Sequence, residues 1–122
     1  MNMNVVIVED DEWLAEHYIR VLKRAGCRVE HAPHAVGAIA VIDKVQPAVI
    51  LLDMLLTGTT AMALLHELQS HADLASIPVV LITNLAEQIQ LDDVEQYGVV
   101  RIVNKATMQP DDIVAAVRGA VL

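Results

Sequence analysis

Several residues that could carry metal or phosphoryl chemistry stand directly after short, strongly apolar stretches of the sequence. They are Glu9, Asp10 and Asp11 after the first stretch, Asp53 after the second, Thr83 after the third and Lys105 after the fourth. Each alone has an ordinary structural explanation, such as a helix cap, a turn or a solvated lysine. Acids, a hydroxyl and a cation at four such boundaries together indicate one shared site.

Clustered carboxylates repel each other and therefore require a cation. Two unit charges about 5 Å apart, at an effective dielectric constant of about 20, repel by about 3 kcal/mol. Oxygen ligands without Cys or His suit a hard ion, and Mg²⁺ keeps part of its water shell where protein ligands are few. We therefore expect a Mg²⁺ site. Its expected ligands are Asp10 directly, Glu9 through water, Asp53, and the backbone carbonyl of Leu55.

An aspartate in such surroundings can accept a phosphoryl group, because this transfer is catalysed mainly by positioning and by neutralisation of charge. We expect Asp53 to be the nucleophile. Lys105 and the metal would offset charge on the phosphoryl oxygens, and the Thr83 hydroxyl would donate to one of them.

Strand and helix patterns alternate five times and would bring these residues together. The predicted strands are 5–8, 28–32, 48–52, 79–82 and 99–103, and the predicted helices are 13–25, 35–45, 61–68, 86–97 and 110–120. This alternation predicts an α/β fold with a doubly wound parallel sheet and helices on both faces. In such sheets ligands bind beyond the carboxyl ends of the strands, which is where the polar residues fall.

Composition limits the class of protein. The chain has 122 residues, 55% hydrophobic, so we expect one domain over residues 1–122. A formal charge of −8 argues against binding of nucleic acid or an anionic membrane surface. The single cysteine, Cys27, fits a reducing compartment, and no signal peptide or membrane span is evident. We expect a cytoplasmic protein.

The order and spacing of these motifs resemble the receiver domain of bacterial two-component response regulators. Val8-Glu9-Asp10-Asp11 resembles the acidic pair of that family, and Leu51-Leu52-Asp53-Met54 its phosphoacceptor strand. Pro78–Thr83 and Asn104-Lys105 resemble its later signatures. The resemblance implies a flavodoxin-like sheet of order 2-1-3-4-5. It also implies a phosphohistidine donor on a sensor histidine kinase or phosphotransfer protein, and a domain that catalyses only its own phosphorylation and dephosphorylation.

The sequence also departs from that family. Thr57 and Ala106 stand where the family usually has proline, and Ile102 stands where an aromatic residue commonly reports phosphorylation. These departures keep a second interpretation open, a receiver-fold interaction module that does not turn over phosphate. Either way, the resemblance suggests kinase docking on the first helix, around residues 14–20. Helix four, strand five and helix five would form the face for a downstream protein or a second copy of the chain.

Two other phosphate-related folds fit poorly. A haloacid dehalogenase-type enzyme expects a second acid two residues after its nucleophile, where this chain has Leu55. A flavodoxin expects a loop rich in glycine and hydroxyl residues after the first strand, where this chain has four consecutive acids. The histidine pairs His31 with His34 and His66 with His71 each lack a third donor, and we do not expect them to bind metal.

Overall fold

Five parallel strands form the centre of the fold, in the order β2-β1-β3-β4-β5. The computed structural model describes residues 2–53, 58–84 and 86–121. The strands are β1 Asn4–Val8, β2 Arg28–Ala32, β3 Val49–Asp53, β4 Val79–Thr83 and β5 Val99–Asn104. The helices are α1 Glu12–Arg24, α2 Ala38–Val45, α3 Gly58–Ser70, α4 Leu91–Val94 and α5 Pro110–Ala120. The predicted flavodoxin-like fold, including its strand order, is confirmed.

The three central strands owe their continuous apolar sequences to burial on both faces. Every residue of β3 and β4 is buried, and β1 is buried from Val5 onward. In contrast, β2 lies at the edge of the sheet and alternates between exposed and more buried residues. Apolar runs therefore mark the centre of the sheet and alternation marks its edge, as expected for parallel sheets covered by helices.

Two apolar cores separate the sheet from its helices. One core packs α1 and α5 against the sheet through side chains such as Tyr18, Leu22, Ile113 and Val117. The other packs α2, α3 and α4 against the opposite face, with Ile42, Leu65 and Val94 among its members. We call these two sides the α1/α5 face and the α2/α3/α4 face.

The second and fourth predicted helices differ from the structure. Helix α2 begins at Ala38, not at residue 35, because Gly37 takes a left-handed conformation (φ 89°) that ends the preceding turn. The predicted helix 86–97 is wrong: α4 covers Leu91–Val94 between two 3₁₀ turns, Ala86–Gln88 and Glu95–Tyr97. Gln90 is extended, and Val94 is the only buried residue among the described side chains of this segment. So little buried apolar surface does not hold a continuous helix.

None of the helices in the described parts of the chain combines the length and apolar character that crossing a bilayer requires.

Candidate functional site

The residues predicted to act together do lie at one edge of the sheet. Asp53 and Thr83 are the last residues of β3 and β4, Glu9 follows β1 directly, and Lys105 follows β5 directly. The three strands that carry Glu9, Asp53 and Thr83 are neighbours, so their carboxyl ends converge. Glu9, Asp53 and Thr83 are buried, with exposed fractions of 1%, 2% and 0%.

Strand alternation places the two buried carboxyls on one side of the sheet. Alternation puts Glu9 on the same side of the sheet as Val5 and Ile7, and Asp53 on the same side as Leu51. Both carboxyls therefore lie on the α1/α5 face. Thr83 follows Leu81 and lies toward the α2/α3/α4 face. The site therefore straddles the sheet edge, with acids and hydroxyl on opposite sides.

Lys105 is the cation that faces both buried acids. Its ammonium donates to Oδ2 of Asp53, and its Nζ lies 3.6 Å from Oε1 of Glu9. The Lys105 side chain is only 13% exposed. A buried ion pair is weakly screened, so removal of one partner is costly unless a neighbouring group takes its place.

The backbone around Lys105 explains how its side chain reaches the acids. Its N–H donates to the carbonyl of Thr83 (2.9 Å), which ties the end of β5 to the end of β4. The Asn104 side chain then accepts from Ala106 N–H (2.9 Å), and the Asn104 carbonyl accepts from Met108 N–H (3.0 Å). The Lys105–Ala106 peptide is trans. These bonds fix the turn in which Lys105 sits, without proline at residue 106.

Glu9 has a strongly raised pKa in this site. The pKa of Glu9 is raised from 4.5 to about 8, mainly by burial, and in the same direction by a hydrogen bond from its carboxyl to Asp53 and by the charge of Asp53. The N–H of Asp11 and the charge of Lys105 oppose this rise in pKa. One lysine therefore does not fully offset two adjoining buried carboxyls.

Asp10 and Asp11 have separate positions. Asp11 caps α1, because its Oδ1 accepts from the N–H groups of Trp13 (2.9 Å) and Leu14 (3.1 Å). Asp10 is exposed, and the described residues contain no group of three His, Cys, Asp or Glu side chains placed to hold a metal. The expected cluster of Glu9, Asp10 and Asp53 is therefore not assembled in the described residues. The expected ligand Leu55 lies outside them, as does Thr57.

The donor set nevertheless fits a hard divalent ion. Oε1 of Glu9 is buried and has no hydrogen-bond partner among the described residues, so it is an acceptor that a cation could satisfy. The groups nearby are carboxyl oxygens, which Mg²⁺ prefers. Asp10 stands one residue from Glu9 and could complete the set by a change of side-chain rotamer.

His31, for which the sequence predicts no role in metal binding, contacts the acidic loop, residues 9–11. Its Nε2 lies 2.7 Å from the backbone carbonyl of Glu9. The parallel register of β1 and β2 pairs Ile7 with His31, so a side chain at position 31 can reach two residues beyond its partner. This contact can be predicted once the register of β1 and β2 is known, but the sequence alone does not give that register. Of the other histidines, His66 packs edge-on against Tyr97 and His34 is exposed.

Comparison with known families agrees with this geometry. The family model described as the response regulator receiver domain matches residues 5–118. The chain belongs to this family. Receiver domains of this kind take part in two-component signalling, and their phosphorylation and use of Mg²⁺ are typical of the family. The predicted family membership is confirmed.

Individual relatives of this receiver domain include a transcription regulator. The transcriptional regulatory protein BaeR of Escherichia coli O6:H1 is 31% identical over 85 residues, covering 70% of this chain and 34% of BaeR. The chain thus spans about a third of the length of this curated relative. The BeF3-activated N-terminal receiver domain of Klebsiella pneumoniae RstA matches with TM-score 0.82 and 26% identity, covering 97% of both chains. A sensor protein from Polaromonas sp. JS666 matches with TM-score 0.87 but 17% identity, covering 97% of this chain and 94% of that one, and shows the fold alone.

Proposed function

We propose that this receiver domain accepts a phosphoryl group on Asp53 from the phosphohistidine of a sensor histidine kinase or phosphotransfer protein. The observation that supports this most strongly is the ion pair of Lys105 with Asp53 beside a second buried carboxyl, Glu9. When both carboxyls are ionised, such a pocket carries more negative charge than its lysine offsets, and it lies at the sheet edge where α/β folds bind ligands.

The transfer assigns a role to each side chain. A carboxylate oxygen of Asp53 forms the new bond to phosphorus as the bond from phosphorus to the donor imidazole breaks, and the imidazole nitrogen keeps the electron pair. Lys105 stays close and stabilises negative charge on the phosphoryl oxygens. The Thr83 hydroxyl donates a hydrogen bond to one of those oxygens. This bond places the transferred group across the end of β4.

Mg²⁺ is the cofactor that we propose for this site. Asp10, Asp53 and the carbonyl of Leu55 would hold it, with Glu9 acting through water. Bound there, Mg²⁺ would neutralise charge on the phosphoryl group and on the two buried carboxyls. The protein residues supply the oxygen ligands and exclude bulk water from Asp53, which is 2% exposed.

The surfaces of the domain suggest its partners. We propose that residues 1–122 act as one cytoplasmic receiver domain, and that residues 14–20 of α1 dock the phosphoryl donor. The face formed by α4, β5 and α5 would bind a downstream protein or a second copy of the chain. Leu91 and Val100 on this face are exposed to 39% and 45%, which supports a contact role. Receiver domains generally do not act as enzymes on other substrates.

An interaction module that does not turn over phosphate is the second candidate. Ile102 favours it, because this half-buried aliphatic residue packs against the α2/α3/α4 core and has no aromatic ring to rotate between two positions. The exposed position of Asp10, away from any assembled group of three acids in the described residues, points the same way.

Phosphoryl labelling separates the two candidates. The protein is incubated with acetyl phosphate, with Mg²⁺ or with a chelator, and its intact mass is measured. We expect an increase of one phosphoryl group that requires Mg²⁺ and is absent in Asp53→Asn. The matched control is Asp73→Asn, which changes an exposed aspartate between α3 and β4 and should label like the wild type. No labelling under any condition would favour the interaction module.

A further inference from the structure

The end of β2 holds the acidic loop between β1 and α1 through both the backbone N–H and the backbone carbonyl of Glu9. The N–H of Glu9 donates to the carbonyl of Ala32 (3.2 Å), and Nε2 of His31 lies 2.7 Å from the carbonyl of Glu9. Because a carbonyl only accepts hydrogen bonds, Nε2 of His31 carries the proton in this contact. Two consecutive residues of β2 therefore fix the backbone of Glu9.

Fixing the carbonyl of Glu9 also fixes the direction in which the chain enters Asp10. The peptide group between them is planar, so the Glu9 oxygen and the Asp10 nitrogen turn together. Asp11 is anchored separately as the cap of α1. Asp10 thus lies between two anchors, a histidine on one side and a helix start on the other.

The Asp10 side chain has no anchor of its own in the described structure, although the N–H of Asp11 also donates to Oε2 of Glu9 across it (3.3 Å). The Asp10 side chain is exposed and makes no hydrogen bond or ion pair that the described residues show. The backbone at Asp10 therefore decides which positions its carboxylate can reach by a change of rotamer. The His31 contact is a side-chain bond, made from an edge strand, and could be lost without disturbing the ladder between β1 and β2.

We propose that His31 is a positioning residue for the metal site, which holds the Glu9–Asp10 peptide so that the Asp10 carboxylate can turn toward Asp53 when Mg²⁺ binds. This inference rests on the proposed function, because it takes Asp10 as a ligand of Mg²⁺. His31 does not touch the metal or the phosphoryl group in this account. It acts through the backbone of the acidic loop, as partners behind metal ligands commonly do.

The test measures Mg²⁺ affinity by calorimetry, with Mg²⁺ alone, in four variants of the full chain. His31→Ala removes the donor, and we expect Mg²⁺ to bind about 10-fold more weakly. His31→Gln places an amide N–H at a similar reach, and we expect affinity within about 3-fold of the wild type. His31→Asn is polar but too short, and should behave like His31→Ala. His34→Ala changes an exposed histidine just after β2, and this variant should bind Mg²⁺ like the wild type.

Chemical unfolding of the metal-free variants distinguishes positioning from a general structural role. We expect the four variants to unfold close to the wild type while their Mg²⁺ affinities differ. If His31→Ala, or His31→Asn where the alanine variant does not fold, binds Mg²⁺ as tightly as the wild type, the inference is wrong. Equal weakening in His31→Gln or His34→Ala would also contradict it. A wild-type protein that binds no Mg²⁺ would overturn the proposed function and this inference with it.

Discussion

The ammonium nitrogen of Lys105 lies 3.6 Å from Oε1 of Glu9 while the same ammonium donates to Asp53. A single cation thus serves two buried carboxyls, and burial, together with the hydrogen bond and charge of Asp53, raises the pKa of Glu9 in spite of that cation. This arrangement lowers the stability of the metal-free protein, and a divalent ion would offset the charge of the two carboxyls and of a phosphoryl group.

Removal of the acceptor carboxylate should stabilise the metal-free protein. Burial, the largest cause of the raised pKa of Glu9, remains in Asp53→Asn, but the hydrogen bond and the charge of Asp53 are lost, so Glu9 ionises more readily beside Lys105. We expect urea unfolding in chelator at neutral pH to show a gain on the order of 1 kcal/mol. Asp73→Asn should show no gain. A loss of stability in Asp53→Asn would mean that the Lys105–Asp53 pair outweighs the repulsion.

Stability of the metal-free protein should fall as pH rises. The pKa of Glu9 is raised from 4.5 to about 8, so the folded state holds a proton that the unfolded state releases. The contribution of Glu9 is complete below about 4.5 and is lost as pH rises through about 8. Between these values the slope should approach about 1.4 kcal/mol per pH unit from this group alone.

Two comparisons test whether Glu9 causes this slope. Unfolding curves across the same pH range should become flatter in Glu9→Gln, because the amide does not titrate. Saturating Mg²⁺ should flatten the slope in the wild type, since the ion favours the ionised carboxyl. A slope that persists in Glu9→Gln would assign it to another group.

Substitutions of the neighbouring acids Asp10 and Asp11 should have opposite effects, with Asp10 needed for Mg²⁺ binding and Asp11 for stability. Asp11→Ala removes the cap of α1 and should cost about 1 kcal/mol of unfolding free energy. Asp10→Ala should leave metal-free stability within about 0.5 kcal/mol, because the exposed side chain has no structural partner among the described residues. Calorimetry with Mg²⁺ should show the reverse order, with binding lost in Asp10→Ala and retained in Asp11→Ala. Equal effects of both variants on both measurements would contradict this division.

Tyr18 should tolerate loss of its hydroxyl. The side chain is 1% exposed, and its hydroxyl has no hydrogen-bond partner among the described residues. Tyr18→Phe should therefore be neutral or stabilising by up to about 1 kcal/mol, because it removes an unsatisfied buried donor. Tyr18→Ala, which also removes the ring, should cost about 3–5 kcal/mol. A loss of more than about 1 kcal/mol in Tyr18→Phe would show that the hydroxyl has a partner.

Much of this architecture could be predicted from local sequence because the sheet is buried on both faces. The central strands are uninterrupted apolar runs, so the polar residues that end them stand out, as Asp53 does after Leu52. The segment around α4 could not be predicted in this way. The acidic residues of this segment have the spacing of a solvent-exposed helix face. The extended backbone at Gln90 and the small buried apolar surface nevertheless prevent a continuous helix.

Contacts within the site were less predictable than its composition. Lys105 reaches Glu9 as well as Asp53 because the turn after β5 folds back over the sheet edge, which is a tertiary feature. The His31 contact depends on the register between β1 and β2, which no local pattern encodes. Asp11 rather than Asp10 caps α1, and only the three-dimensional structure distinguishes these two neighbouring aspartates.

The position of the acyl phosphate tests the central claim most directly. After incubation with a phosphoryl donor and Mg²⁺, the protein is reduced with borohydride, which converts an aspartyl phosphate to homoserine, and the peptides are sequenced by mass spectrometry. We predict homoserine at position 53, formed only when Mg²⁺ is present during phosphorylation. Homoserine at another aspartate, or a phosphorylated protein in which Asp53 is unmodified, would contradict the account.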